Sequence, residues 1–396
     1  MRLLMLFHSP LYPAVSGVMK RNLQAFLEAS KHHEVSLLAF GTKADEASFR
    51  ERYGGLCKRI VFYQRPDPRW LRLTKSAICL LTLRSEARYL REASLQNEID
   101  AIAATERFDL VHMSTPFFAF CRLPAGVPLI ADAHNVEHDM LQRTYREATT
   151  IGRKLYYWMV YLGLKRDELR VCRKISVIMA TSKRDGELFQ KLLPRHHVVV
   201  VPNGVDASEF APQVMDVEPH SMVFTGIMQY YPNNHGISYF LEHIFPLINN
   251  QMPDAKVYVV GAHASKRVKS FASDRVVITG FVDDVRPYIA RAEVVIIPLL
   301  IGGGTRLKAL EAMAMKKPIV STSIGCEGID LVPGETVLIG DTPQAFADAV
   351  IRLFADAGLR TRVVEQAYEI MCSTYSWEAI SKQYQDAFAL AACPKA

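Results

Sequence analysis

Apolar residues in this chain come in short, nearly continuous runs separated by longer amphipathic stretches. In the first half, runs at Arg2–Phe7, Glu34–Phe40, Ile60–Tyr63, Leu110–Met113, Pro128–Ala131, Ile175–Ala180 and His197–Val201 predict seven strands. Helices are predicted between them at Val18–Ser30, Glu86–Glu106, Gly152–Arg173 and Arg184–Lys191. The second half repeats the rhythm, with strands at Met222–Thr225, Lys256–Val260, Val276–Thr279, Val294–Pro298, Pro318–Ser321 and Thr336–Ile339. Strands apolar at nearly every position are buried on both faces, and alternation with helices makes their sheet parallel. Two such successions predict an α/β chain of two doubly wound domains. The turn-forming cluster Pro202-Asn203-Gly204-Val205-Asp206 marks the boundary, which places the domains at 1–203 and 204–375.

Chemistry concentrates in residues 301 to 322. An apolar run, Val294 to Ile301, feeds into Gly302-Gly303-Gly304, and the helix former Arg306-Leu307-Lys308-Ala309-Leu310-Glu311 follows. Thr305 stands where a helix N-cap is expected. Glycines let backbone approach a ligand, and the free N–H groups of a helix start attract anions. Arg306 and Lys308 are unfavourable at a helix N-terminus unless an anion is expected there. Glu311 shares a helix face with Lys308 at i+3. Diphosphate at the turn, with a carboxylate nearby for sugar hydroxyls, is the pattern of a nucleotide-sugar site.

Composition narrows the class. The chain has 396 residues and a net charge of +6, and its seven cysteines show no close pair, which predicts reduced thiols and a cytoplasmic setting. The apolar start, Leu3 to Phe7, is too short for a signal peptide and reads as a first strand. Residues 1–195 hold 31 Lys and Arg against 20 Asp and Glu, whereas residues 196–396 hold 16 against 21. A basic first half suits an anionic lipid surface, an anionic acceptor or nucleic acid. Its cations between Lys58 and Arg91 are interleaved with Trp70, Leu71, Leu73, Ile78, Leu80 and Leu81. No apolar run reaches the ~20 residues that span a bilayer. Leu155 to Leu164, flanked by Arg153-Lys154 and Lys165-Arg166, reads either as a core helix or as a helix lying at a membrane interface.

A series of motifs then falls in order along the chain. Tyr12-Pro13-Ala14-Val15-Ser16-Gly17 follows the first strand, and Asp132-Ala133-His134-Asn135-Val136-Glu137 follows a later one. Thr181-Ser182, Val201 to Asp206, Phe224-Thr225-Gly226, Thr279-Gly280-Phe281-Val282 and Gly302 to Glu311 complete the series. Together they resemble the GT-B-fold retaining glycosyltransferases of family 4. The resemblance implies two Rossmann-like domains facing across a cleft, with a last helix, 376–392, packing back on the first domain. It implies a nucleotide-diphosphate sugar as donor, held without metal or other cofactor. Ser16 and Gly17 would approach the donor phosphates, and His134 would contact the donor sugar or position the acceptor. Asn234 would join the donor site, Phe281 and Val282 would border the base, and Glu311 would take the ribose hydroxyls. The turn of Gly303, Gly304, Thr305 and Leu307, with Arg306 and Lys308, would hold the diphosphate. Retention by front-face attack, a saccharide or lipid-linked acceptor in surface polysaccharide synthesis, and a place at the cytoplasmic membrane surface are further implications.

Two departures from the family pattern stand out. Gly303 occupies the place of a glutamate that often contacts the transferred sugar. The loop from Gly226 to Asn234 carries none of the cations often found there, so Arg306 and Lys308 are the expected substitutes. Rival readings remain at this level. His134-Asn135-Val136-Glu137-His138 matches H-x-x-E-H, a zinc metallohydrolase signature that requires a helix through both histidines. The basic first half admits a nucleic-acid-binding module, although no reading motif accompanies it. A nucleotide-sugar epimerase of the same fold is the third alternative.

Overall fold

The computed structural model describes residues 1–65, 78–90, 92–147 and 150–393. Two compact units divide the chain: one is Met1–Pro202 together with the chain from Ile380 onward, and the other is Asn203–Ala379. Trp70, Leu71, Leu73 and Arg91 of the basic stretch lie outside the described residues.

The first unit holds seven strands: β1 (Arg2–Phe7), β2 (Glu34–Phe40), β3 (Arg59–Tyr63), β4 (Leu110–Met113), β5 (Leu129–Ala133), β6 (Val177–Ala180) and β7 (His197–Val200). They lie in the order β3-β2-β1-β4-β5-β6-β7, and every pairing is parallel. Met5 of the central strand stands opposite Leu37 on one side and His112 on the other. The chain builds outward from β1 in one direction and then returns to its other side through β4. That reversal opens a crevice beyond the carboxyl ends of β1 and β4, where ligands bind in sheets of this type.

The second unit repeats the plan with β8 (Glu218–Thr225), β9 (Lys256–Val260), β10 (Val276–Gly280), β11 (Ala292–Ile297), β12 (Ile319–Ser321) and β13 (Leu338–Ile339). Their order is β10-β9-β8-β11-β12-β13, again parallel throughout, so the reversal lies between β8 and β11. Both sheets bury nearly continuous apolar strands, as expected for sheets covered by helices on both faces. All thirteen runs read from the sequence form strands. The long helix expected over Glu86–Glu106 is instead a short turn of helix, Glu86–Leu90, followed by a separate helix, Ala93–Thr105. A helix at Glu137–Glu147 was not among the expected elements.

A buried ion pair locks the first unit. Arg21, on the Gly17–Ser30 helix, donates from Nε and Nη2 to Asp132 Oδ1 at 2.8 and 2.6 Å, and from Nη1 to the Pro202 carbonyl at 3.0 Å. Both residues are fully buried. The guanidinium also lies 5.7 Å from the ring centroid of Tyr384, on the Trp377–Ala392 helix that ends the described chain. That helix is further tied down by Ser381 and Gln385, which donate to the Glu28 carboxylate and carbonyl at 2.5 and 2.7 Å. Phe388 meets the rings of His33 and His112 edge-on.

Removing one partner of such a pair leaves an uncompensated buried charge, so Arg21→Met should cost about 3–5 kcal/mol in urea unfolding. Arg21 holds the Asp132 carboxyl below its ordinary range despite burial. A depressed carboxylate contributes stability above its unfolded pKa, and that stability is lost as pH falls through the folded value. The acid limb of the stability profile should therefore flatten in Asp132→Asn, measured by urea midpoints from neutral pH downward.

Candidate functional site

In the second unit, β11 runs into a turn in which backbone and side chain are packed too closely for anything larger than glycine. A Cβ on Gly302 would collide with the Arg306 guanidinium. Arg306 is buried and folds back to donate to the carbonyls of Gly303 and, at 3.4 Å, Ile324. Its extended backbone makes Arg306 the residue that precedes the helix, which runs Leu307–Ala314. Thr305 is thus not the N-cap. It is buried one residue further back in the turn, and the helix start carries no side-chain cap. Arg306 donates back to the Gly303 carbonyl and across to that of Ile324, and with that geometry its backbone stays extended. Gly303 is partly exposed at the turn, Gly304 is buried in left-handed backbone with φ 64°, and Leu307 opens the helix against the core.

Lys308 leaves this helix and reaches the loop after β8. Its ammonium donates to Asn233 Oδ1 at 2.8 Å and lies 4.0 Å from the centroid of the Phe224 ring. A Cβ on Gly226 would stand 3.1 Å from Lys308 Nζ and 2.7 Å from Asn233 Nδ2, so glycine there is what admits the cation. Asn233 Nδ2 also donates to the Ile227 carbonyl at 3.0 Å, which fixes the amide with its oxygen toward the lysine. Desolvation and the neighbouring Arg306 charge lower the Lys308 pKa to about 7, against a smaller opposing effect of Glu311. The loop whose sequence carries no cation thus receives one from residue 308. Glu311 sits one turn along the same helix, partly exposed.

The other expected donor contacts are placed unequally. Asn233, and not Asn234, meets Lys308; Asn234 is the next residue of the same helix, Tyr231–Tyr239, and is partly buried. Phe281 is three-quarters exposed just beyond the carboxyl end of β10, while Val282 packs partly on the core. β10 is the sheet edge, separated from β11 by β9 and β8. Phe281 and Val282 thus share the carboxyl side of the sheet with the glycine turn, several strands away.

In the first unit, Ser16 caps the Gly17–Ser30 helix by accepting the Met19 N–H at 3.3 Å. This leaves the helix's first N–H groups, beginning at Gly17, at the carboxyl end of β1, as an anion site requires. His134 follows β5, and its carbonyl accepts the Thr181 hydroxyl at 2.9 Å. Burial pushes its pKa down to about 4, partly opposed by Asp132. Its Nε2 is buried and meets no hydrogen-bond partner among the described residues.

A residue that the motifs did not single out faces it. The rings of His8 and His134 are 5.9 Å apart. The Ser114 hydroxyl accepts the His8 backbone N–H at 3.0 Å and lies 2.7 Å from His8 Nδ1. The Ser114 hydroxyl thus holds both the backbone and the ring of His8. Desolvation and His134 pull the His8 pKa down to about 3. Two neutral imidazoles therefore stand together at the carboxyl ends of β1 and β5. The signal for this in sequence is slight, since His8 simply ends an apolar run.

The zinc reading fails on geometry. The helix begins at Glu137, after His134, so the two histidines do not share a helix face. His138 Nδ1 is instead 2.6 Å from the buried Glu168 carboxylate. No group of three or more His, Cys, Asp or Glu side chains suited to a metal occurs among the described residues.

Comparison with known proteins agrees with this layout. The model for "Glycosyltransferase Family 4" matches residues 17–209, and that for "Glycosyl transferases group 1" matches residues 219–356. A Klebsiella pneumoniae relative, an "Uncharacterized 44.6 kDa protein in cps region", is 25% identical over 370 residues, covering 88% of this chain and 89% of its own. The Escherichia coli UDP-Gal:alpha-D-GlcNAc-diphosphoundecaprenol alpha-1,3-galactosyltransferase is 23% identical, covering 88% and 87%. Among solved structures, Anabaena HepE in complex with UDP-glucose superposes with a TM-score of 0.70 at 15% identity, covering 98% of this chain and 99% of that one. Sucrose-phosphate synthase from Thermosynechococcus elongatus also gives 0.70, at 16% identity, covering 98% and 100%.

The Lys308 geometry has a pH signature. An unfolded lysine keeps its proton to about pH 10, whereas this one holds it in the folded chain only below about 7. The unfolded chain binds more protons between those values, so this group's contribution to stability rises with pH across that interval. An anion at the turn would raise the lysine pKa again. Inorganic pyrophosphate should therefore bind with proton uptake and lose affinity as pH rises above about 7. Calorimetry in buffers of different ionisation heat reads both effects, and Lys308→Arg, charged throughout, should flatten the profile.

Proposed function

We infer, for a chain that belongs to the group 1 glycosyltransferases of family 4 and is an enzyme of GT-B fold, a reaction at two sites. The second unit binds the donor. The observation that carries this is the delivery of Lys308 to the Gly226 loop beside the Gly302–Gly304 turn, at the strand-order reversal of that sheet. The diphosphate of a nucleotide sugar lies there against Lys308, the Arg306 charge and the turn's N–H groups. Glu311 takes ribose hydroxyls, and Phe281 and Val282 border the base.

Sugar transfer leaves a nucleoside diphosphate as the leaving group. A cation held against the diphosphate stabilises the negative charge that develops on the leaving group more than it stabilises the bound donor. Neither metal nor cofactor is needed for that step. The neutral His134 and His8 hydrogen-bond sugar or acceptor hydroxyls without competing as charged bases. Attack from the face the diphosphate leaves, with a phosphate oxygen taking the acceptor proton, gives retention.

The acceptor is a saccharide, in lipid-linked form, in surface polysaccharide synthesis at the cytoplasmic face of a membrane. Support comes from the Escherichia coli relative, named for a diphosphoundecaprenol acceptor, and from the basic first half of the chain. Among the described residues no helix is long and apolar enough to cross a membrane, so contact with a bilayer would be peripheral.

A thermal-shift screen of UDP-, GDP-, ADP- and dTDP-sugars should single out one base, since ligand at 100 times its Kd stabilises by about 2.7 kcal/mol. With that donor, Arg306→Ala and Lys308→Ala should each lower kcat by about 10²-fold or more, and near-normal turnover in both would sink the donor assignment. Incubation with donor alone should give at most slow hydrolysis, whereas an altered sugar would point to epimerisation. His8→Ala should lower kcat/KM by about tenfold or more. Because both histidines stay neutral, the rate of Lys308→Arg, whose residue 308 stays charged, should show no limb from pH 5 to 8; a limb near 6.5 in that variant would refute the histidine assignment.

A further inference from the structure

The Ile151–Cys172 helix is held at one end and bare at the other. Near its C-terminus, buried Asp167 accepts from the Ser85 N–H at 2.9 Å and from Arg88 Nε and Nη2 at 2.6 Å each. Buried Glu168 accepts the N–H groups of Glu137 and His138 at 2.9 and 3.1 Å, capping the helix that follows the His134 loop. At the opposite end, Ile151 is 87% exposed, Leu155 57%, Tyr156 48% and Trp158 46%. Ile151, Leu155 and Trp158 stand at i, i+4 and i+7, so they form one stripe along the helix. Arg153 and Lys154 beside it are exposed, and Arg166 closes the far side by donating to the Leu83 carbonyl at 2.8 Å. Leu81, two residues before that carbonyl, is 83% exposed. From residue 150 to 166 the chain carries four cations and no acid, while Asp167 lies 3.8 Å from Arg166 and Glu86 acts on Tyr156.

We infer that this face docks the chain on an anionic lipid bilayer. The inference rests on the membrane-side reading above and gives it a surface. A monomer rarely leaves adjacent aliphatic and tryptophan side chains in water. The choice of occupant follows from charge. Anionic headgroups match Arg153 and Lys154, exposed beside the stripe, without requiring fixed partner geometry, and they suit a helix lying in the interface with its apolar stripe inserted. Tryptophan and tyrosine place an apolar body in the acyl region and a polar tip at the headgroups. Glu168 joins the docked helix to the segment that follows His134, so docking would fix that side of the first unit with respect to the membrane.

The test is co-sedimentation of the full chain with vesicles of phosphatidylglycerol and phosphatidylethanolamine, against phosphatidylcholine alone. Binding is expected on the anionic vesicles and should weaken with salt. Leu155→Asp with Trp158→Ser, and separately Arg153→Glu with Lys154→Glu, should each lower partitioning by about tenfold or more. Circular dichroism should be unchanged, and transfer to a soluble acceptor retained. With Trp70 and Trp377 replaced by phenylalanine, Trp158 emission should shift to the blue on anionic vesicles. Failure of the wild type to bind those vesicles, or equal binding by both double variants, would overturn the proposal. So would a concentration-dependent dimer, abolished by Leu155→Asp, in a chain that ignores vesicles, since it would assign the face to a second copy. Vesicle binding that follows the variants in a chain with no transferase activity would leave docking standing and the proposed reaction refuted.

Discussion

Parallel pairing is the constraint from which the rest of this molecule follows. Strands running the same way cannot be joined by tight turns, so each return crosses a face of the sheet and every strand ends on the same edge. In both units the strand order reverses beside the first strand, at β1 with β4 and at β8 with β11. The segments leaving these strands are therefore delivered to one edge by topology. His8 and His134 meet for this reason at the edge where Ser16 caps its helix, and Lys308 reaches the Gly226 loop in the second unit.

Within the second unit, placement of a single cation gives that edge its chemistry. An ammonium in partly desolvated surroundings is costly unless something compensates for lost water. Here the Phe224 ring and the Asn233 oxygen do part of this, and the lowered pKa of Lys308 reflects what they leave undone. A negative charge placed beside it would offset that penalty, which is why the proposed diphosphate is set there. Arg306 differs in kind: its guanidinium donates to the Gly303 carbonyl of the turn and to the Ile324 carbonyl beyond β12, so it shapes the cradle while adding charge to it. In the first unit the same cost is met by a direct ion pair, Arg21 with Asp132.

Much of the fold was legible because a doubly buried strand has a simple signature. Each of the thirteen apolar runs became a strand, with ends displaced by a few residues at most, the largest being the start of β8 at Glu218 in place of Met222. Helices were less legible. Glu137–Glu147 is amphipathic but carries too few apolar residues to stand out, and the break between Leu90 and Ala93 divides what reads as one pattern. At the candidate site, the glycine turn and its two cations stood out by residue type and neighbours, whereas His134 was named only through the family resemblance. The reading erred by one position at Thr305, because the fold of Arg306 onto Gly303 decides where the helix begins. Asn233 and His8 escaped notice, since neither stands in a distinctive local pattern.

The sequence alone determined what consecutive residues can encode: the strand runs, the helix faces, the boundary near Pro202, and a glycine turn followed by paired cations. Period and backbone freedom are local properties, so they are written in order along the chain. Tertiary structure alone decided which distant side chains meet. Lys308 finds Asn233 across 75 residues, His8 finds Ser114 across 106, and Arg21 finds Asp132 across 111. Those meetings depend on the order of strands in each sheet, and that order is selected by the packing of whole layers. No short window of sequence contains it.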